Sequence, residues 1–241
     1  MYTKFLTVVF FILVISLKTL KAQEESEYSS ENVFGIDLNT NAGLIGGVMF
    51  RHTKILQSGR HLNLGVELVN VKHPNEVRIS SGNGSVYVYG KKNYLFALRP
   101  QIGYEFVLFT KGKEDGIRVD AIFNGGPSIG IVKPYYVQFQ DSSNNLSSVP
   151  YSSSLQSAEV VGSGGFLHGF DKIKIVPGLH LKAGLSFEFG SFGGVSGVEA
   201  GALVEVYPQK IQILDVSSSY PTYNRSFFSS LYINIYFGGR R

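Results

Sequence analysis

The chain has 241 residues, of which 44% are hydrophobic, 13% aromatic and 17% charged, with 28 glycines and no cysteine. That length suits a domain with a sizeable core, the charged fraction is low against the usual quarter, and glycine is abundant. The missing cysteines exclude a disulfide scaffold, a thiolate metal centre, a cysteine nucleophile and a lipid-modified N-terminal cysteine. The formal charge of +4 owes three of its 22 basic residues to Lys4, Lys18 and Lys21, so the remaining 19 face 18 acids and give no basis for binding nucleic acid.

The first element is a leader. Met1–Lys4 is short and basic, Phe5–Leu17 is apolar apart from Thr7 and Ser16, and Lys18–Ala22 closes the run. The run is too short to span a bilayer as a helix, and its three-part layout is that of a signal peptide cut after Ala22. Residues 1–22 are therefore expected to be removed on export. Gln23–Asn32, acidic and serine-rich, is expected to form a flexible periplasmic leader. The barrel domain described below is expected over 33–241.

From Val33 onward the apolar residues alternate with a period of two, and no stretch has a helical period. Eight strands are predicted, in chain order Val33–Asn39, Leu44–Ile55, His61–Lys72, Tyr94–Thr110, Ile117–Val132, Lys172–Phe189, Val198–Leu214 and Ser226–Phe237. In the fourth, Tyr94, Phe96, Leu98, Ile102, Tyr104, Phe106 and Leu108 oppose Arg99, Gln101, Gly103 and Glu105. In the sixth, Ile175, Leu179, Leu181, Leu185 and Phe187 oppose His180, Lys182, Gly184, Ser186 and Glu188. A soluble strand usually runs about 5–6 residues, whereas a tilted membrane-spanning strand needs about 9–11.

The connections sort by length. Leu56–Arg60, Lys111–Gly116 and Ser191–Gly197 are short, while His73–Asn93, Lys133–Asp171 and Asp215–Arg225 are longer. Short turns at one end and long loops at the other mark an outer-membrane barrel, with both termini on the periplasmic side. The polar face carries Asp37, Arg51, Glu67, Arg99, Glu105, Arg118, Asp120, Lys182, Glu188, Glu199 and Glu205, together with Gly35, Gly65, Gly103, Gly178, Gly184 and Gly201. Eight strands leave an interior just wide enough for side chains, and glycines among charges of both signs fit such a narrow core. The fold class expected is an all-β, antiparallel, up-and-down transmembrane barrel. A secreted sandwich or a soluble barrel is the competing architecture, since the period alone does not say which face is buried.

The pattern, and the segment Ser-Leu-Tyr-Ile-Asn-Ile-Tyr-Phe at Ser230–Phe237, resemble the small eight-stranded outer-membrane barrels of the OmpA/OmpX type, particularly the porin-like members common in Bacteroidetes. The resemblance covers Val33–Arg241 and implies an outer-membrane location in contact with lipid, with no cofactor. It departs from that type in ending Gly-Gly-Arg-Arg at Gly238–Arg241 and in lacking tryptophan. Tyr94, Tyr104, Phe106, Phe189, Tyr207 and Phe237 are expected to supply the interfacial aromatics instead.

For function, the interior charges come first. Glu67, Arg99, Glu105, Arg118, Asp120 and Lys182 are expected to pair across the lumen and plug it with a polar network. The interior tally of four bases and seven acids would favour cations if the lumen were wetted. No metal-ligand or phosphate-loop pattern is present: neither Ser81–Ser85 nor Gly162–Gly165 leads into a Gly-Lys-Ser/Thr ending or a helix. Ser81–Ser85 is instead expected as a turn that extends strands three and four beyond the membrane. His180 shares a face with Ser186 and Glu188, but residues six apart on a strand stand about 20 Å apart, too far for a triad. His73 and His168 lie in loops, and His52 and His61 near the short turns. The long connection Lys133–Asp171, with Tyr135, Tyr136, Phe139 and Phe166–Phe170, is expected either to contact another envelope protein or to fold over the mouth. The expectation is a non-enzymatic barrel serving envelope structure, surface contact or a larger outer-membrane assembly. A narrow pore is the alternative, and a lipid-modifying barrel enzyme comes behind it.

Overall fold

The computed structural model describes residues 29–57, 59–82, 84–110, 116–155, 159–189, 194–215 and 224–241. The expected signal peptide lies outside these residues, as do most of the Lys111–Gly116 turn and most of the Asp215–Arg225 connection.

Among the described residues thirteen strands run in chain order: β1 Ser30–Asn39, β2 Gly43–Gln57, β3 Arg60–Val71, β4 Val77–Ser80, β5 Val86–Tyr89, β6 Asn93–Phe109, β7 Arg118–Pro134, β8 Tyr136–Gln140, β9 Leu146–Pro150, β10 Val160–Ser163, β11 Lys174–Glu188, β12 Gly194–Ile211 and β13 Arg225–Arg240. Eight of them close into a barrel in the order β1-β13-β12-β11-β7-β6-β3-β2. Each is antiparallel to both neighbours, and β1 meets β13 in a continuous register from Glu31↔Arg240 to Asn39↔Tyr232. The order is that of an up-and-down meander, and closure leaves no open edge.

The alternation decides which side is which. On the outside, Phe34, Ile36, Val48, Leu64, Ile102, Phe123, Leu179, Leu181, Leu231, Ile233 and Phe237 stand exposed. On the inside, the eleven charged residues of the polar face are all at most 4% exposed. A soluble sandwich would have the opposite polarity. The period-two pattern thus wraps an apolar surface around a charged core.

The interior is apolar in a small patch of Val33, Met49, Val195 and Tyr236 towards the turn end, and more extensively towards the loop end. There Val71, Leu95, Ala97, Val132, Val176, Tyr207, Ile211, Ile213 and Phe228 form one buried cluster. A second cluster outside the barrel, built on Tyr87, Tyr135, Val137, Tyr151 and Val160, joins the β4–β5 hairpin to the sheet β10-β8-β9.

Several boundaries and placements differ from expectation. β1 opens at Ser30, and Glu31 is buried, so the end of the stretch expected as leader belongs to the barrel wall. β13 continues through Gly238 and Gly239 to Arg240, because those residues pair with β1 and Arg240 finds carboxylate partners. β12 opens at Gly194, within the expected turn Ser191–Gly197. The Ser81–Ser85 turn does join two strands, but they form a separate two-stranded sheet and do not prolong β3 and β6. The Lys133–Asp171 connection holds β8, β9 and β10 and leads into a 3-10 turn at Phe170–Lys172. Tyr207 is 2% exposed and points inward, so it is no part of the outer aromatic set. The space it fills is left by Gly130 and Gly178, where a Cβ would stand 2.8 and 2.7 Å from its ring.

Candidate functional site

The interior charges are set by alternate positions on β1, β2, β3, β6, β7, β11, β12 and β13, and they divide into two groups along the barrel. At the turn end, the Arg118 guanidinium is the hub. It donates to Glu105 Oε1 at 3.0 Å and to Asp120 Oδ1 at 2.9 Å, and its Nη2 lies 2.9 Å from His61 Nδ1. Glu188 stands 3.9 Å from Arg118 and accepts from Arg240 at 2.5 Å, while Arg240 also donates to Glu31 at 3.2 Å. Asn63 takes donation from Thr53 and donates to Glu105.

The second group fills the middle. Lys182 Nζ lies 2.5 Å from Glu67 Oε1 and 2.9 Å from Glu199 Oε1. Arg51 reaches the other Glu199 oxygen at 2.6 Å, and Tyr232 Oη donates to Glu199 at 2.8 Å. Oriented to satisfy both of its ends, the Asn234 amide donates to Asp37 Oδ2 at 3.0 Å and accepts from Lys182 at 2.9 Å. Asn39 also donates to Asp37. Towards the loop end, Arg99 grips Glu205 with two hydrogen bonds of 3.0 and 2.9 Å and stands 3.9 Å from Glu67. Buried charges are tolerable only when paired and hydrogen-bonded, and here cation and carboxylate alternate around the lumen.

Of the six residues singled out from the sequence, Glu67, Arg99 and Lys182 thus fall in the middle group and Glu105, Arg118 and Asp120 at the turn end. Arg51, Glu199 and Glu205, recognised as interior, complete the middle group. Sequence reasoning missed Glu31, His61, Tyr232, Asn234 and Arg240 as partners. Parity along β3 and β13 was the available signal for His61, Tyr232 and Asn234.

Glycines make room for this packing. Gly184 on β11 faces Gly201 on β12, which faces Tyr232 on β13. A Cβ at Gly184 would stand 2.4 Å from Tyr232 Oη, and one at Gly201 would stand 2.7 Å away. The phenol therefore lies flat across two bare backbones, with Lys182 Nζ 4.1 Å above its ring.

The histidines do not assemble. His180 does face inward, but its neighbour is Ser128 from the adjacent strand, 3.1 Å from Nδ1, and Ser186 instead bonds Tyr236 Oη at 2.6 Å. Ser128 and His180 are 0% and 2% exposed, so the pair is closed off from solvent. His73 accepts from the Asn75 backbone N–H within its own turn, His168 stacks on Tyr136, and His52 Nδ1 lies 2.8 Å from Asn32 Oδ1. Among the described residues no cluster of three or more metal-ligating side chains exists.

The outer surface has its own order. Near the loop end, Tyr94 and Phe96 pack against Phe166, and Phe166 against Phe170, with centroids 5.7–5.9 Å apart. Lys133 Nζ is folded beneath these rings, 4.7 Å from Phe166 and 4.9 Å from Phe170. Near the turn end stand Phe34, Tyr104, Phe106, Phe109, Phe189 and Phe237, all exposed. The surface between them is largely aliphatic.

Fold and interior together define a closed eight-stranded barrel of inverted polarity, apolar outside and salt-bridged within. No protein-family model matches the chain. No curated protein matches it by sequence. Among solved structures it is similar to the crystal structure of Neisserial surface protein A, over 90% of this chain and 98% of that one, with a TM-score of 0.40 and 7% identity. A likeness of that degree is one of outline and assigns no activity.

Proposed function

We propose that this chain is an exported, non-enzymatic barrel of the bacterial outer membrane, with a sealed interior, that serves envelope structure or contact at the cell surface. One observation carries the reading: two aromatic sets on the outer surface, separated by an aliphatic belt, around a core of paired charges. Phe96 and Phe106 lie ten residues apart on β6. At about 3.3 Å per residue and a strand tilt of about 40°, that separation is about 25 Å along the barrel axis, the height of the lipid-facing band of outer-membrane barrels. Aromatics at both margins of such a band suit the two membrane–water interfaces.

The long connection supports the surface-contact part. Leu167 is 82% exposed, flanked by Phe166 and Phe170 at 47% and 50%. An apolar tip of that kind serves either as an anchor in the outer leaflet or as a contact for another envelope protein.

The test is expression with the leader in a Gram-negative host, followed by membrane fractionation and gel electrophoresis with and without boiling. The expected result is recovery from the outer membrane in detergent, with mobility that changes on heating. A mature chain that stays soluble in water overturns the reading.

A further inference from the structure

The loop end of the barrel holds a cleft of about 800 Å³ whose lining includes Lys92, Lys172, Lys174 and Lys210 but no acidic residue. Its floor is apolar, formed by Val132, Val176 and Ile211. Those three belong to the buried cluster that caps the lumen, so the floor is the upper surface of the interior plug. Lys174 pairs opposite Val132 and stands two residues from Val176 on β11, so it shares their inward face. The cleft therefore opens at the mouth of the barrel, above the interior plug.

The charge here is compensated only in part. Lys92 has Asp215 at 3.6 Å, and Lys172 has the Tyr136 ring 6.0 Å away. Among the described residues no carboxylate pairs with Lys172, Lys174 or Lys210. In the middle of the lumen, by contrast, the cations are matched closely: Lys182 alone has two carboxylates within 2.9 Å. Several ammonium groups around one recess attract a multiply charged anion, and an apolar floor beneath them rewards a short hydrocarbon attached to it.

From this juxtaposition we infer that the mouth cleft binds a phosphorylated amphiphile from the external medium, a phosphate monoester whose apolar part rests on Val132, Val176 and Ile211 beneath the lysines. The inference rests on the cleft together with the proposed reading of the loop end as the outer face of the barrel.

The experiment uses the full mature chain in discs of neutral phosphatidylcholine, titrated calorimetrically with hexyl phosphate below its micellar concentration. Inorganic phosphate and hexanol are the two half-ligands. Saturable binding of hexyl phosphate is expected, at least tenfold tighter than either half. The Lys174→Ala/Lys210→Ala pair is expected to weaken it at least tenfold. The Lys174→Arg/Lys210→Arg pair should restore it, which separates lost charge from lost fold. Equal affinity for inorganic phosphate and hexyl phosphate overturns the inference, because the recess would then be an unspecific anion patch. So does undiminished binding by the alanine pair, or the absence of saturable binding.

Discussion

Arg99 on β6 and Glu205 on β12 meet inside the barrel through two hydrogen bonds, Nε to Oε1 at 3.0 Å and Nη2 to Oε2 at 2.9 Å. Two strands, β11 and β7, lie between their own in the ring, so the pair is a strut across the lumen. Both groups are nearly free of water, at 3% and 1% exposure. Replacing Arg99 by Met leaves Glu205 buried with its strongest partner gone, and such a loss costs about 3–5 kcal/mol. The Arg99→Met/Glu205→Leu pair should recover much of that, since neither charge then remains unmatched. Urea unfolding of the reconstituted protein, followed by gel mobility, measures both.

The bare backbones beneath Tyr232 set a second expectation. Gly184→Ala puts a methyl 2.4 Å from Tyr232 Oη and 2.7 Å from the Ala200 carbonyl oxygen, so the phenol must move off Glu199. Overpacking of this kind costs about 1–3 kcal/mol. Gly194→Ala, where a Cβ meets nothing within 4 Å, is the matched control and should unfold like the parent.

The lumen is closed twice, by the ion-paired middle and by the apolar cluster around Leu95, Val132 and Ile211. Planar bilayers containing the protein should therefore pass no resolvable current. Truncating Arg99 to Ala should leave them silent, because the apolar cap remains. A stepwise conductance that appears with that variant would mean the charges alone hold the pore shut.

Outside the membrane band, Asp215 ties two connections together. Its carboxylate accepts from the Ser153 N–H at 2.9 Å and lies 3.6 Å from Lys92. Burial pushes this carboxyl up, but the Ser153 hydrogen bonds and then the Lys92 charge outweigh it and hold it below the ordinary aspartate value of 3.8. A depressed carboxyl stabilises the fold fully above 3.8, and that contribution is lost as pH falls through the lower folded value. Amide exchange near Ser153 should accelerate in strongly acid solution. Asp215→Asn should flatten the dependence.

The strand pattern was legible because period two is imposed by the pleat itself, and the polarity of the faces followed from strand length and the glycines among the charges. Inward parity from Glu205 also places Tyr207 inside, which its assignment to the interfacial set overlooked. The sheet β10-β8-β9 escaped notice because its strands are only four or five residues long, and one of them, Leu-Ser-Ser-Val-Pro at Leu146–Pro150, is rich in serine. Which charges meet was not legible at all. Lys182 and Glu67 are 115 positions apart, and only the closed ring, with its registers, brings them to one level. The lysine cleft at the mouth is hidden for the same reason, since its wall draws on β6, β7, β11 and β12.

The seam between β1 and β13 has a consequence in time. Arg240 reaches Glu31 across a sequence separation of 209, and it also holds Glu188 on β11. No other neighbouring strands in the ring are so distant along the chain. Every other hairpin can zip as soon as its second arm is delivered, whereas this joint waits for nearly the whole polypeptide. Until then the nascent sheet keeps two raw margins, and Glu31 and Glu188 lack their clasp. Arg240 acts as the clasp that is fastened last, turning an open curl of strands into a ring.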